Sequence, residues 1–216
     1  MMWIEQLQSE NWPRATGCTL VAYALGCFAT GYYLVRARTR RDLRDLESGS
    51  LGARNAGRVL GKGGFLLTAL GDLAKGALAV WLAAEFTDHD RLAMTLAMLA
   101  VVAGHLWPAQ LHFRGGKGIA TSFGALLLFD YWVAFTIFVV FLCGFAVTRK
   151  SLFPAMLAYL CLPLADGWFH RDGLAAVLLT VLAAMILFAH RKNLSEETAA
   201  LLARRGVSSK PEHTEL

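Results

Sequence analysis

Hydrophobic positions along the chain fall in blocks separated by short polar segments. The blocks run from Gly17 to Val35, Gly64 to Ala84, Leu92 to Leu111, Ile119 to Val147, Leu152 to Ala165 and Gly173 to Ala189. A helix that crosses a bilayer needs roughly 20 mostly apolar residues, because the hydrocarbon core is about 30 Å thick and a helix rises about 1.5 Å per residue. The first three blocks and the last meet or approach that length. Ile119 to Val147 is too long for one crossing and short for two, and Leu152 to Ala165 is short and contains Pro154 and Pro163. These two regions predict tilted, broken or short helices. A membrane tolerates such helices only where protein or a water-filled cavity covers the freed backbone groups, so they already point to a site.

Basic residues favour the cytoplasmic side of short loops and so set the orientation. With the N-terminus outside and the Ile119 to Val147 block crossing twice, turning near Asp130, the chain makes seven crossings. The inner segments then carry eight Lys and Arg between Arg36 and Lys62, two at Arg114 and Lys117, two at Arg149 and Lys150, and five after His190. The outer segments carry only Arg14, Arg91 and Arg171, and Lys75 lies inside the second block. Six crossings would move Arg149, Lys150 and the basic tail outside, against the bias. The expected fold is an all-α polytopic transmembrane bundle of seven spans, N-terminus outside and C-terminus cytoplasmic. Residues 1–204 form one domain and 205–216 a polar cytoplasmic tail.

Composition adds little to this but agrees with it. The chain is 56% hydrophobic and 17% charged, against about a quarter charged in soluble domains. The net charge of +5 is accounted for by the inside bias and anionic lipid, with no nucleic-acid partner required. Cys18, Cys27, Cys143 and Cys161 sit in apolar blocks with neither zinc nor disulfide spacing, and read as small core residues. Met1 to Asn11 has acidic and no basic residues, unlike a secretory signal, so the first helix is expected to stay in the mature protein.

Three segments carry chemistry, and this topology puts all of them at the cytoplasmic surface. Glu47 to Arg58 surrounds Arg54 and Arg58 with small residues, which let the backbone turn sharply and aim N–H groups at an anion. The guanidinium groups can make forked bonds to phosphate. A flexible basic loop that only sets orientation fits the composition equally well. Gly104 to Thr121 places Gly115, Gly116 and Gly118 around Lys117 where an apolar helix opens, the kind of anion cradle formed at helix N-termini. It is not a Walker A loop, which has four residues between its first glycine and its Gly-Lys-Ser/Thr. His105 lies near the inner end of the third helix, where a lone histidine is more often structural than catalytic. The third segment is His190-Arg191-Lys192-Asn193, where cations also complement the helix dipole. Asp72 and Lys75 lie three residues apart inside an apolar helix, on one face. Such a pair is expensive in a membrane and belongs in the bundle interior, as structural support or as a substrate contact.

Together and in this order, these segments resemble the acyl-phosphate:glycerol-3-phosphate acyltransferase (PlsY) family. Its first motif, approximately Ser-Gly-Asn-x-Gly-Ala-Thr-Asn-x-x-Arg, is matched by Ser48, Gly49, Gly52, Ala53, Asn55 and Arg58. Its Asp-x-x-Lys-Gly is matched by Asp72, Lys75 and Gly76, and its second motif by the whole of Gly104 to Thr121. Its third motif begins His-Arg-x-Asn, as do His190, Arg191 and Asn193. The chain departs from the family at Ser50 and Arg54, where Asn and Thr are usual, and after Asn193, where it reads Leu194-Ser195-Glu196-Glu197. The segment Thr148-Arg149-Lys150-Ser151-Leu152 is one residue shorter than usual. The His-x-x-x-x-Asp signature of other glycerolipid acyltransferases is absent, because Gln110 stands in the Asp position.

The resemblance implies a membrane acyltransferase of the bacterial cytoplasmic (inner) membrane. It moves a fatty acyl group from acyl phosphate to the C1 hydroxyl of sn-glycerol 3-phosphate, giving lysophosphatidate and phosphate, the first step of phospholipid synthesis. It implies catalytic roles for Ser48, His105 and Lys117, with His105 as orienting group or base. Substrate contacts fall to Asn55, Arg58, Gly115, Gly116, Gly118, Thr121, Ser151, His190 and Asn193, with Asp72 and Lys75 in support. No metal, flavin, coenzyme A site or other cofactor is expected. The implied partners are the two substrates, membrane lipid and an acyl-ACP:phosphate acyltransferase as a functional link. The donor arrives activated, so the task is electrostatic: two unit charges at 5 Å repel by about 3 kcal/mol at an effective dielectric of 20. Phosphate itself, with a second pKa near about 6, can take the hydroxyl proton. A small-anion transporter, or a paralogue with altered acceptor or lost activity, stays open from the sequence.

Overall fold

The computed structural model describes residues 11–204, and every regular element among them is helical. In chain order the α-helices are α1 (Trp12–Cys27), α2 (Thr30–Thr39), α3 (Ala53–Phe86), α4 (Arg91–Leu106), α5 (Ile119–Phe129), α6 (Tyr131–Thr148), α7 (Leu152–His170) and α8 (Gly173–Arg204). Six stretches are long and apolar enough to cross a membrane: 12–39 taken as one, α3, 91–111, α6, α7 and 173–203. Helix α5, with 11 residues, is about 16 Å long and falls short. The expected tail from Arg205 onward, like the segment before Asn11, lies outside the described residues.

The over-long block breaks where it was expected to. Asp130 ends α5 and caps α6, its carboxylate accepting from the N–H groups of Trp132 and Val133 at 2.9 Å. The block from Leu152 differs from expectation. It is one continuous helix of 19 residues that runs on to His170. Pro154 lies in the first turn, where its missing N–H costs nothing, and Pro163 is carried inside. The helix continues past Ala165 because Asp166 is fully buried and paired with Arg91.

Ion pairs sort the connections into two ends of the bundle. At one end Arg14 meets Asp88 at 3.5 Å, and Arg91 pairs with Asp166 and lies 3.8 Å from Asp130 and 3.9 Å from Asp172. His170 also pairs with Asp130 there. At the other end Arg54 bonds Ser151, Lys117 bonds Asn193, and Lys150 meets Glu197 at 2.9 Å. The turn at Asp130 therefore joins the α3–α4 and α7–α8 connections, and α5 and α6 both lead away from that end.

Two pairs of glycines let helices touch backbone to backbone, the close approach that small residues permit in membranes. A Cβ on Gly26 of α1 would lie 2.2 Å from the Val101 carbonyl oxygen, and one on Gly104 of α4 would lie 2.2 Å from that of Tyr23. On the α3–α5 side, a Cβ on Gly76 would lie 1.9 Å from the Thr121 oxygen and one on Gly124 2.0 Å from that of Leu73. Gly76 follows Lys75 and Gly104 precedes His105, so both contacts flank charged or ionisable groups in the interior. Gly76→Ala should lower the thermal midpoint of the detergent-solubilised protein, at a cost of about 1–3 kcal/mol for overpacking. Gly17→Ala, which meets nothing within 4 Å, should leave it unchanged.

Candidate active site

The interior lysine exists because a helix breaks beside it. Helix α1 ends at Cys27 and α2 starts at Thr30, which leaves carbonyl groups without intrahelical partners. Lys75 Nζ donates to the Gly26 oxygen at 3.2 Å and the Phe28 oxygen at 2.7 Å, and Gln110 Nε2 donates to the Cys27 oxygen. The same ammonium lies 3.0 Å from Asp72 Oδ1 and 2.8 Å from His105 Nδ1, and Thr30 Oγ1 donates to Asp72 Oδ1 at 3.1 Å. An ammonium can only donate, so His105 Nδ1 accepts and the neutral imidazole carries its proton on Nε2. That tautomer is assigned from the bonding pattern. Nε2 has no partner among the described residues, and His105 lines a cavity of about 300 Å³. The ring nitrogen left free in this tautomer is a donor.

The Ser48 loop is held from within. Asn55, 1% exposed, donates to the Leu43 and Leu46 oxygens at 3.2 and 3.1 Å and accepts from the Ser48 N–H at 3.0 Å. Its amide is fully engaged, so Asn55 shapes the loop and offers the cavity no free donor. Arg44 Nη1 donates to the Leu111 oxygen at 3.0 Å and ties the loop to the α4–α5 connection. Gly61, with φ 73°, kinks α3 and turns its first two turns back, so that a Cβ on Gly57 would meet Phe65 at 2.9 Å. Arg54 and Arg58, one turn apart on that segment, both line the cavity, as does Ser48.

The glycine segment works differently from expectation. The N–H of Gly115 donates to the Leu106 oxygen at 3.0 Å and that of Gly116 to the His105 oxygen at 2.9 Å, so neither points at an anion. Both glycines are needed for space: a Cβ on Gly116 would lie 2.1 Å from His105 Nε2, and one on Gly115 2.1 Å from the His105 oxygen. The anion-ready groups come next. Gly118, with φ 85°, opens α5 with no side-chain cap, and Lys117, Gly118, Ile119 and Ala120 line the cavity. Half-buried Lys117 donates to Asn193 Oδ1 at 2.6 Å. Burial holds its pKa below that of an ordinary lysine; the charges of Arg54 and Arg58 push the same way and Glu196 opposes them.

Of the remaining expected residues, His190 and Asn193 line the cavity. His190 Nδ1 donates to the Ile186 oxygen at 2.9 Å, which leaves Nε2 as its free polar atom. Ser151 accepts from Arg54 Nη2. Thr121 is fully buried at the Gly76 contact and lines none of the cavities described, so it belongs to the α3–α5 packing. Asp72 reaches the cavity wall while Lys75 stays behind it. An apolar groove of about 340 Å³ adjoins the polar cavity, lined by Leu73, Phe123, Phe138, Phe141 and Tyr159 from α3, α5, α6 and α7. On the other side lies a wider vestibule of about 670 Å³ with Arg114, Arg191 and Lys192. Among the described residues no set of three or more His, Cys, Asp and Glu is placed to hold a metal ion.

A cavity lined by Arg54, Arg58 and Lys117 and set between an apolar groove and a polar vestibule suits an anionic amphiphile. The family model described as glycerol-3-phosphate acyltransferase matches residues 16–200. The chain belongs to that family. It is 46% identical over 177 residues to glycerol-3-phosphate acyltransferase 1 of Desulfitobacterium hafniense, covering 82% of this chain and 87% of the relative. It is 37% identical over 194 residues to the glycerol-3-phosphate acyltransferase of Laribacter hongkongensis, covering 88% and 96%. The crystal structure of PlsY, an integral membrane glycerol 3-phosphate acyltransferase, in its glycerol 3-phosphate form superposes with a TM-score of 0.78 at 29% identity over 86% of this chain and 92% of that one. Its lysophosphatidic acid form gives 0.76 at 27%. As a family member the chain is a membrane acyltransferase.

Sequence reasoning passed over Thr30 and Gln110, which serve the α1–α2 break. Gln110 drew notice only as the wrong residue for another family's signature, and nothing local marks Thr30. In this family member, Gly116→Ala should push the His105 imidazole off its position and cost about 10²-fold in the acyl-transfer rate. An unchanged initial rate would mean that His105 Nε2 takes no part.

Proposed function

We propose that this protein transfers a fatty acyl group from acyl phosphate to the C1 hydroxyl of sn-glycerol 3-phosphate, releasing lysophosphatidate and phosphate. The observation that carries this reading is the apolar groove sharing part of its wall with a cavity lined by Arg54, Arg58, Lys117 and the start of α5. A mixed anhydride of a fatty acid needs that combination, with its tail in the groove and its phosphate among cations. The solved relative was captured in a glycerol 3-phosphate form and a lysophosphatidic acid form, which favours the same acceptor and product here.

In the reaction the C1 oxygen forms a bond to the acyl carbon, and the bond from that carbon to the phosphate oxygen breaks with its electron pair leaving on phosphate. The hydroxyl proton passes to the departing phosphate, since Lys75 occupies the Nδ1 lone pair of His105. His105 Nε2–H stabilises the oxygen on which charge develops, and Lys117, Arg58 and the α5 N-terminus offset the repulsion between the two phosphates. Ser48, at the wall shared by cavity and vestibule, and Asn193, which orients Lys117, complete the acceptor side. His190 Nε2 accepts from the acceptor's hydroxyl groups. Ser151 holds Arg54.

The membrane reading is seven crossings by one domain, residues 1–204, in a bacterial inner membrane. It has the N-terminus outside and the site at the cytoplasmic face, where acyl phosphate is supplied by an acyl-ACP:phosphate acyltransferase. The two-ended sorting of the ion pairs and the placement of the basic residues support it. Cysteines placed singly at positions 89 and 150 should label from opposite sides of sealed vesicles.

Purified protein in detergent, given palmitoyl phosphate and glycerol 3-phosphate, should yield lysophosphatidate and an equal amount of phosphate. Absence of product, or product formed as well from acyl-CoA, would overturn the reading. Arg58→Ala should raise the KM for glycerol 3-phosphate about tenfold or more, as expected for one charge-assisted contact. Lys117 acts as a cation with a lowered pKa, so activity should fall on the alkaline side below the pH where an ordinary lysine titrates. Lys117→Arg, whose charge persists, should move that limb of the pH–rate profile upward whatever its effect on kcat.

A further inference from the structure

The acyl phosphate proposed above has an apolar tail and an anionic head joined at the reacting carbonyl. That carbonyl must therefore sit where the apolar groove meets the polar cavity. Four residues line both: Arg54, Ala69, Ile119 and Ala120. Only Arg54 among them is charged. We infer that Arg54 reads the donor, taking the phosphate of the acyl phosphate at this seam, while Arg58 one turn on is left to the acceptor. The inference rests on the acyltransferase reading and adds the division of labour within it.

Three further observations support the split. Arg54 Nη2 donates to Ser151 Oγ, and Ser151 lines the same groove, so the solvent-exposed guanidinium is tied to the groove's rim. Arg54 also lines a third, more open cleft of about 490 Å³ with Arg149, Lys150, Glu196 and Glu197, so its guanidinium stands between the groove and solvent. Arg58 lines no part of the apolar groove; it lines the polar cavity and the vestibule that holds Arg114 and Lys192. Four residues of helix separate the two guanidinium stems by about 6 Å along the axis. That spacing places one cation on each side of a single reacting carbonyl and lets the two phosphates be held apart while the hydroxyl and the acyl carbon meet.

The test is steady-state kinetics on the full chain in detergent, with palmitoyl phosphate varied at saturating glycerol 3-phosphate and the reverse. Inorganic phosphate serves as product inhibitor against the donor. Arg54→Gln should raise both the KM for palmitoyl phosphate and the Ki for phosphate about tenfold or more, with the KM for glycerol 3-phosphate within about twofold of wild type. A rise confined to glycerol 3-phosphate, an equal rise for both substrates, or no change in donor KM and phosphate Ki overturns the assignment. Ser151→Ala guards against a folding defect in Arg54→Gln. It frees the guanidinium without removing it and should raise the donor KM alone, by a smaller factor; a shift in the acceptor KM instead counts against the inference. Wild-type protein that makes no lysophosphatidate refutes the reaction itself, whereas wild-type turnover with unmoved donor kinetics in Arg54→Gln refutes only the donor assignment.

Discussion

The ammonium of Lys75 is the point on which the arrangement of the site turns. It donates to carbonyls of Gly26 and Phe28 where α1 gives way to α2, pairs with Asp72 on its own helix, and fills the Nδ1 lone pair of His105 on α4. Three helices and a backbone break are thereby joined through one buried cation. Desolvating an ammonium inside a bundle is costly, and the cost is offset only when every proton finds an acceptor. Here the acceptors are groups that would themselves be orphaned without it. The break needs a donor, the donor needs a carboxylate, and the histidine inherits a fixed tautomer.

That constraint explains the close helix contacts around it. Gly76 and Gly104, each adjacent to a member of the cluster, allow backbones to approach within the reach of a lysine side chain. Gly116 then covers the imidazole with no side chain of its own. The result is an imidazole fixed at a cavity that Arg54, Arg58 and Lys117 also line. In the proposed reaction the leaving phosphate accepts the proton, and the protein supplies position and charge.

The cavity lies where two solvents meet. Its apolar neighbour, lined by Phe123, Phe138 and Phe141, suits a hydrocarbon chain, and its vestibule, lined by Arg114, Arg191 and Lys192, suits a water-soluble phosphate. Short α5 makes this junction possible. Its N-terminus, opened by Gly118, brings the N–H groups of its first turn to the seam, where Ile119 and Ala120 line both groove and cavity.

Much of this was legible in the residues themselves. Apolar blocks and the spread of Lys and Arg determined an all-helical membrane chain. The lone acid in the longest block marked the break at Asp130, because a carboxylate there is a helix cap. Motif order around Ser48, Lys117 and His190 identified the family and most of the cavity wall. Tertiary structure alone decided what each polar group does. Gly115 and Gly116 make room and give their N–H groups to neighbouring carbonyls, Asn55 braces a loop, and Thr121 packs. Helix α7 runs past Asp166 because Arg91, distant in sequence, meets it. Periodicity, capping and charge bias are properties of neighbouring residues and can be read along the chain. A hydrogen-bond partner, a tautomer, or the residue at the edge of two cavities is set by atoms far apart in sequence, and only folding brings those together.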